Sequence, residues 1–184
     1  MAMETVDFSR AKFTRGRGNA RSYKLIGQSI SDSTAITGAT ETQANFDNKV
    51  TIPANFLKVG NRIRLCGAVK HTATTGAETH DILVVCGSTT LLSVTAIDPA
   101  DNNILEFVVE FQITAIGASG VVRGFAQYRA TAAGGTATAW VDKAIDSVTL
   151  DTTAVNDLAV AIDRQATATD ADSAKCIRFF AEMM

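Results

Sequence analysis

SVTLDTTAVNDLAVAIDRQATATDADSAKCIRFFAEMM, the stretch from Ser147 to Met184, decides the fold. It contains three runs rich in apolar and β-branched residues: Ser147 to Leu150, Asp157 to Arg164 and Lys175 to Met184. Segments of Asp, Thr, Ala and Ser separate them. Short apolar runs bounded by such turn residues are typical of strands, and no helical period is present. The stretch therefore predicts the closing strands of an all-β domain.

The segment from Ile104 to Ala115 carries the clearest alternation in the chain. Because successive side chains of a strand point to opposite faces, its odd-numbered apolar face is expected to lie in the core. Similar runs recur about every 10 to 15 residues with Gly, Asn or Asp between them, a spacing that predicts an antiparallel β-sandwich of jelly-roll type. The residues of the inward face are Leu105, Phe107, Val109, Phe111 and Ile113.

Length and composition indicate one globular domain. Apolar residues make up 46% of the 184 residues and charged residues 20%, and roughly 70% of the unfolded surface of such a chain can be buried. No apolar run reaches the roughly 18 residues that a membrane span needs. The opening residues, MAMETVDFSRAKF, lack the apolar region of a secretory signal. We therefore expect folding in a cytoplasm and no membrane partner.

Three cysteines, Cys66, Cys86 and Cys176, lie in apolar runs. Their number is odd and no pair has the spacing of metal ligands, so the sequence predicts reduced thiols buried in the core.

Positive charge is concentrated at the start of the chain. Residues 1–24 contain six basic and two acidic residues, whereas residues 25–184 contain 11 basic and 17 acidic residues. No strand or helix period precedes residue 22, so residues 1–24 are predicted to form an extended basic arm on a sandwich domain, 25–184, whose clearest signal spans 49–184. The arm residues expected to contact a partner are Arg10, Lys12, Phe13, Arg15, Arg17 and Arg21.

A protein surface is the favoured partner of this arm, ahead of a purely solvated tail. Nucleic acid is the third alternative, because RGRG at residues 15–18 and two aromatic residues, Phe8 and Phe13, are weak cues for it.

Two polar segments of the sequence are candidate metal sites. His71, Glu78, His80 and Asp81 lie in or beside one loop, but zinc-type spacing is missing. The acidic turn 98–103 lacks the repeated Asp and distal Glu of a calcium loop. We therefore predict no metal and no cofactor.

Catalysis is not favoured either. Glu106 and Glu110 share a strand face about 13 Å apart, whereas a catalytic pair of carboxylates needs a separation of about 5 to 10 Å across a cleft, and Ser119 lacks the setting of a nucleophile. The aromatic residues Trp140, Phe125 and Tyr128 could form a sugar platform, but burial in the core is the commoner arrangement and is expected here.

Four blocks of the sequence resemble β-sandwich modules of tailed-bacteriophage virion proteins, in the same order. They are TIPANFLKVGNRIRLCG (51–67), DILVVCGSTTLLS (81–93), ITAIGASGVV (113–122) and VTLDTTAVNDLAVAI (148–162). The resemblance covers about Lys49 to Met184.

This resemblance implies one of three roles: capsid decoration (cement) protein, head fibre or tail-fibre tip, usually as a homotrimer. A fibre needs a coiled-coil or repetitive shaft, and the sequence contains neither. The expectation is therefore a homotrimeric decoration protein on the capsid surface of a virion, with the basic arm bound to the major capsid protein or to a neighbouring copy. The alternative is a head-fibre or tail-fibre tip that binds a host-surface receptor.

Overall fold

The computed structural model describes residues 24–29, 31–37, 43–72, 80–97, 103–131, 137–164 and 173–184, and within them all regular structure is β-strand. The strands are β1 Lys24–Gln28, β2 Ile36–Thr37, β3 Ala44–Ile52, β4 Arg62–Thr72, β5 His80–Cys86, β6 Thr89–Ile97, β7 Ile104–Ala115, β8 Gly120–Thr131, β9 Val141–Leu150, β10 Asn156–Arg164 and β11 Ser173–Met183.

The strands form two antiparallel sheets. The large sheet has the order β1-β11-β4-β7-β8-β9, with β2 also pairing with β11, and the small sheet has the order β3-β10-β5-β6. Apolar side chains from both sheets fill the space between them. The prediction of an all-β antiparallel sandwich is therefore confirmed.

The strand order is that of a jelly roll. When β2 and the β8–β9 hairpin are set aside, the remaining strands, counted along the chain, lie 1-8-3-6 in the large sheet and 2-7-4-5 in the small sheet. This alternation between two facing sheets is the double Greek key of a jelly roll. The β8–β9 hairpin extends the large sheet by two strands beyond this framework.

The inward face of β7 lies where the alternation predicted it. All five odd-numbered residues from 105 to 113 are buried, and the neighbouring strand β4 contributes Ile63 and Leu65 to the same core. In the small sheet, β10 lies between β3 and β5, and its residues 158–162 are fully buried. A strand covered on both faces tolerates only apolar side chains, which explains the continuous run Leu158–Ile162.

Strand β9 is where the sequence-based boundaries were wrong. The predicted strand Ser147–Leu150 is only the last part of β9, which begins at Val141. The reason is position: β9 is the outer strand of the large sheet, and seven of its ten residues are exposed. An edge strand with so much solvent contact carries polar residues on both faces, which hides the period of two.

The three cysteines are free thiols, but they are not equally buried. Cys86 and Cys176 are fully buried, as predicted, and burial raises their pKa values to about 12 and about 11. Cys66 is only half-buried, because it lies on the outer face of β4, and the prediction of a core position was wrong for it. Partial burial still raises the pKa of Cys66, so this thiol is protonated at neutral pH.

Candidate functional site

The six arm residues predicted from the sequence lie outside the described residues: Arg10, Lys12, Phe13, Arg15, Arg17 and Arg21. The point at which this arm joins the sandwich is described. Lys24 opens β1 and pairs with Met183 near the end of β11. Lys24, the first described residue, therefore lies at the end of the sandwich where β11 finishes.

Of the connections at this same end, three form what we call the loop end: residues 53–61 between β3 and β4, 116–119 between β7 and β8, and 151–155 between β9 and β10. The strand registers establish this placement, because Arg62 pairs with Gln112 and Gly120 pairs with Leu150. The turn at residues 117–119 is thus part of the loop end.

Thr152 ties the three connections of the loop end together. Its carbonyl oxygen accepts a hydrogen bond from the amide of Asn55 at 2.9 Å, and its hydroxyl oxygen accepts one from the amide of Gly117 at 2.8 Å. Its own amide donates to the carbonyl of Gly117 at 3.0 Å. Thr152 belongs to the connection 151–155, and its bonds reach the other two connections at Asn55 and at Gly117. Because Thr152 is buried, these bonds are shielded from water and fix the three connections relative to one another.

Local side-chain bonds hold the connection 151–155 in shape as well. The Oδ1 atom of Asp151 accepts hydrogen bonds from the amide and the hydroxyl of Thr153, and these bonds hold the pKa of Asp151 below its usual value. The buried Asn156 donates to the carbonyl oxygens of Asp151 and Ala154. Such turns built by Asp and Asn side chains pre-organise a loop without help from a partner.

The fixed loop end exposes three aliphatic side chains. Val59, Ile116 and Val155, one from each connection, are more than half exposed. Single exposed apolar residues are ordinary on protein surfaces, but one on each of three hydrogen-bonded neighbouring loops is typical of a contact surface. These three residues were not predicted as a contact surface. The signal for them in the sequence is a valine or isoleucine directly before Gly or Asn in a turn, where no core face requires an apolar side chain.

The outer face of the large sheet carries a second set of polar contacts. Glu106 on β7 accepts hydrogen bonds from Nε of Arg129 at 2.7 Å and from Nη2 of Arg178 at 2.8 Å. The bonds from these arginines, that from Arg129 foremost, lower the pKa of Glu106. Glu110 pairs with Arg62 on the neighbouring strand at 3.3 Å. Both glutamates are therefore ion-paired carboxylates rather than free acid–base groups.

Two of the three aromatic residues expected in the core lie on the surface instead. Trp140 and Phe125 are each 43% exposed, whereas Tyr128 packs against the core as predicted. Phe125 has an odd number in β8, where the register with β7 turns odd-numbered residues outward. Trp140 precedes β9 and lies against Arg129, whose guanidinium carbon is 4.9 Å from the ring centre.

His71 and His80 were the main candidates for metal ligands. Both are buried, and their rings stack with centres 5.7 Å apart. Across the part of the chain that the structure describes, no three His, Cys, Asp or Glu side chains are grouped as a metal site. Glu78 and most of the acidic turn, residues 98–102, fall outside that part. The same part contains no helix long and apolar enough to cross a bilayer.

Comparisons with known proteins add little to this geometry. No protein-family model and no curated protein matches the chain. Among solved structures, the crystal structure of a polysaccharide lyase of family 18 is similar with a TM-score of 0.38 and 10% sequence identity, over 88% of this chain and 94% of that chain. A similarity at this level carries no argument about activity or substrate.

Proposed function

We propose that this protein is a non-enzymatic virion structural protein that decorates the capsid of a tailed bacteriophage and stabilises it. In this proposal the jelly roll assembles as a homotrimer, and the loop end, together with the basic arm, binds the major capsid protein or a neighbouring copy. The resemblance of four sequence blocks to phage virion modules supports the class of protein. The geometry of the loop end supports the mode of attachment.

The observation that carries the proposal is the coincidence of two binding elements at one end of the sandwich. The arm joins the domain at Lys24, and the three aliphatic side chains of the loop end project from the same end. This end of the protein therefore offers the shell two contacts: the apolar side chains of the loop end and the positively charged arm. Because the loops are already fixed by Thr152, little conformational entropy is lost when they dock.

Weak individual contacts are sufficient for this function. A trimer on a repeating shell presents three copies of the loop end and three arms, so the second and third contacts form at high effective concentration. A basic arm also binds an acidic or edge-strand surface on the shell by electrostatic attraction or strand addition.

Removal of residues 1–21 tests this attachment. The truncated protein should remain a folded trimer by light scattering, because those residues precede β1, and it should lose binding to empty phage heads in a sedimentation assay. Val59→Asp and Val155→Asp should weaken the same binding, since each buries a charge at the apolar contact. Val141→Asp is the matched control: Val141 is also exposed, but it opens β9 at the opposite end.

Full binding by the truncated protein would contradict the role of the arm. Equal losses for Val59→Asp and Val141→Asp would contradict the role of the loop end. A monomer at all concentrations would contradict the trimer.

A further inference from the structure

A shallow groove crosses the outer face of the large sheet. Its floor is a row of register partners on four neighbouring strands, Gln28, Phe180, Cys66 and Val108. Neighbouring strands lie about 4.8 Å apart, so this row is roughly 14 Å long. The groove is an open depression of about 480 Å³, and Trp140 is one of the residues that line it.

Charged residues of both signs border the apolar floor. On one side Glu106 lies between Arg129 and Arg178, and on the other side Arg64 pairs with Glu182 at 3.7 Å. These groups form ion pairs with one another, yet the guanidinium groups keep unused donors, and Arg178 is more than half exposed. The border therefore offers hydrogen-bond donors and acceptors side by side.

We propose that this groove, the Trp140 groove, binds a neutral oligosaccharide. A sugar ring has an apolar C–H face, which stacks on an exposed indole, and a rim of hydroxyls, each of which both donates and accepts hydrogen bonds. An apolar floor, one exposed tryptophan and paired carboxylates and guanidiniums match these requirements. The length of the floor suits a di- or trisaccharide.

Charge argues against the basic arm of a neighbouring copy as the occupant. The groove and its border carry four arginines and three glutamates, if the neighbouring pair Arg62–Glu110 is included. The net charge is thus slightly positive, and residues 1–24 are also positive. A surface without excess negative charge does not attract a cationic segment, whereas it binds an uncharged ligand without an electrostatic penalty.

The groove and the loop end are separate surfaces, so this inference goes beyond capsid attachment. Cys66, at the centre of the groove floor, is four residues along β4 from Arg62 at the loop end, which is roughly 13 Å. With the loop end against a shell, the groove remains accessible.

The test uses the full-length protein and its single tryptophan. Neutral di-, tri- and tetrasaccharides on an array identify binders, and their titration should change the fluorescence of Trp140 and protect Cys66 from alkylation. Affinity should be nearly independent of salt, because the ligand is uncharged. Trp140→Ala should weaken array binding roughly tenfold, whereas Phe125→Ala, which removes an equally exposed ring outside the groove, should leave it unchanged.

Three results would overturn the inference: no neutral oligosaccharide binds, Trp140→Ala binds as well as the unmodified protein, or a synthetic peptide of residues 1–23 occupies the groove instead. Binding to phage heads is measured in parallel with Trp140→Ala and should be unchanged. Failure of the sugar site is thereby distinguished from failure of capsid attachment.

Discussion

Gly124→Ala is expected to destabilise the protein by about 4 kcal/mol, a large part of the roughly 5 to 15 kcal/mol by which an ordinary domain is stable. A Cβ atom at this position would overlap the carbonyl oxygen of Glu110 and lie 2.7 Å from the Cα of Phe111. Both atoms belong to the backbone of β7, so no side-chain rotation relieves the overlap. The strands β7 and β8 would have to separate where their registers establish the large sheet.

Chemical denaturation of Gly124→Ala beside Gly60→Ala measures this effect. Gly60 has a φ of 90° and no atom within 4 Å of an added Cβ, so its substitution introduces only backbone strain of about 1 to 2 kcal/mol. Similar losses for the two variants would show that β7 and β8 do not approach each other at Gly124 as described.

Phe107→Ala should cost about 3 to 5 kcal/mol, because the ring is fully buried between the sheets. The ring lies over Gly67, its register partner on β4, where an added Cβ would be 2.7 Å from the ring atom Cε2 of Phe107. Gly67→Ala alone should therefore cost about 1 to 3 kcal/mol by overpacking.

The two substitutions should compensate each other in part. With the ring removed, the methyl group at position 67 has room, so the double variant should lose about 1 to 3 kcal/mol less than the sum of the two single losses. The free energy of unfolding of all four proteins gives this coupling directly. Phe125→Ala, which removes an exposed ring of β8, should change stability little. Strict additivity would contradict the contact between Phe107 and Gly67.

How well the sequence predicts a strand depends on how many of its two faces are buried. β7 has one buried and one exposed face, so its alternation predicts both the strand and the inward residues. β10 is covered on both faces and also has a clear apolar run. β9 is an exposed edge, and its sequence carries no period that separates it from a loop. The pairing of β1 with β11 joins the two ends of the domain and depends on tertiary packing, which no local pattern encodes.

The candidate surfaces were harder to predict than the core. Cys66 was expected in the core because it lies in an apolar run. Ile63 and Leu65, however, show that the odd-numbered residues of β4 point into the core. Because side chains alternate along a strand, the even-numbered Cys66 shares the outer face with Arg64, and the sequence contained enough information to place it there. Trp140 lies just outside a strand, where alternation gives no guidance. The loop end depends on which connections meet in space, and this follows only from the jelly-roll strand order.

The most direct test of capsid attachment is an electron cryo-microscopy reconstruction of the intact virion at a resolution that distinguishes the ends of a jelly roll. We expect trimeric density on the head, with residues 53–61, 116–119 and 151–155 facing the shell, continuous density from Lys24 onto a neighbouring subunit, and Trp140 directed away from the shell contact. Density for this domain only on the tail, or on the head with the loop end pointing into solvent, would contradict it.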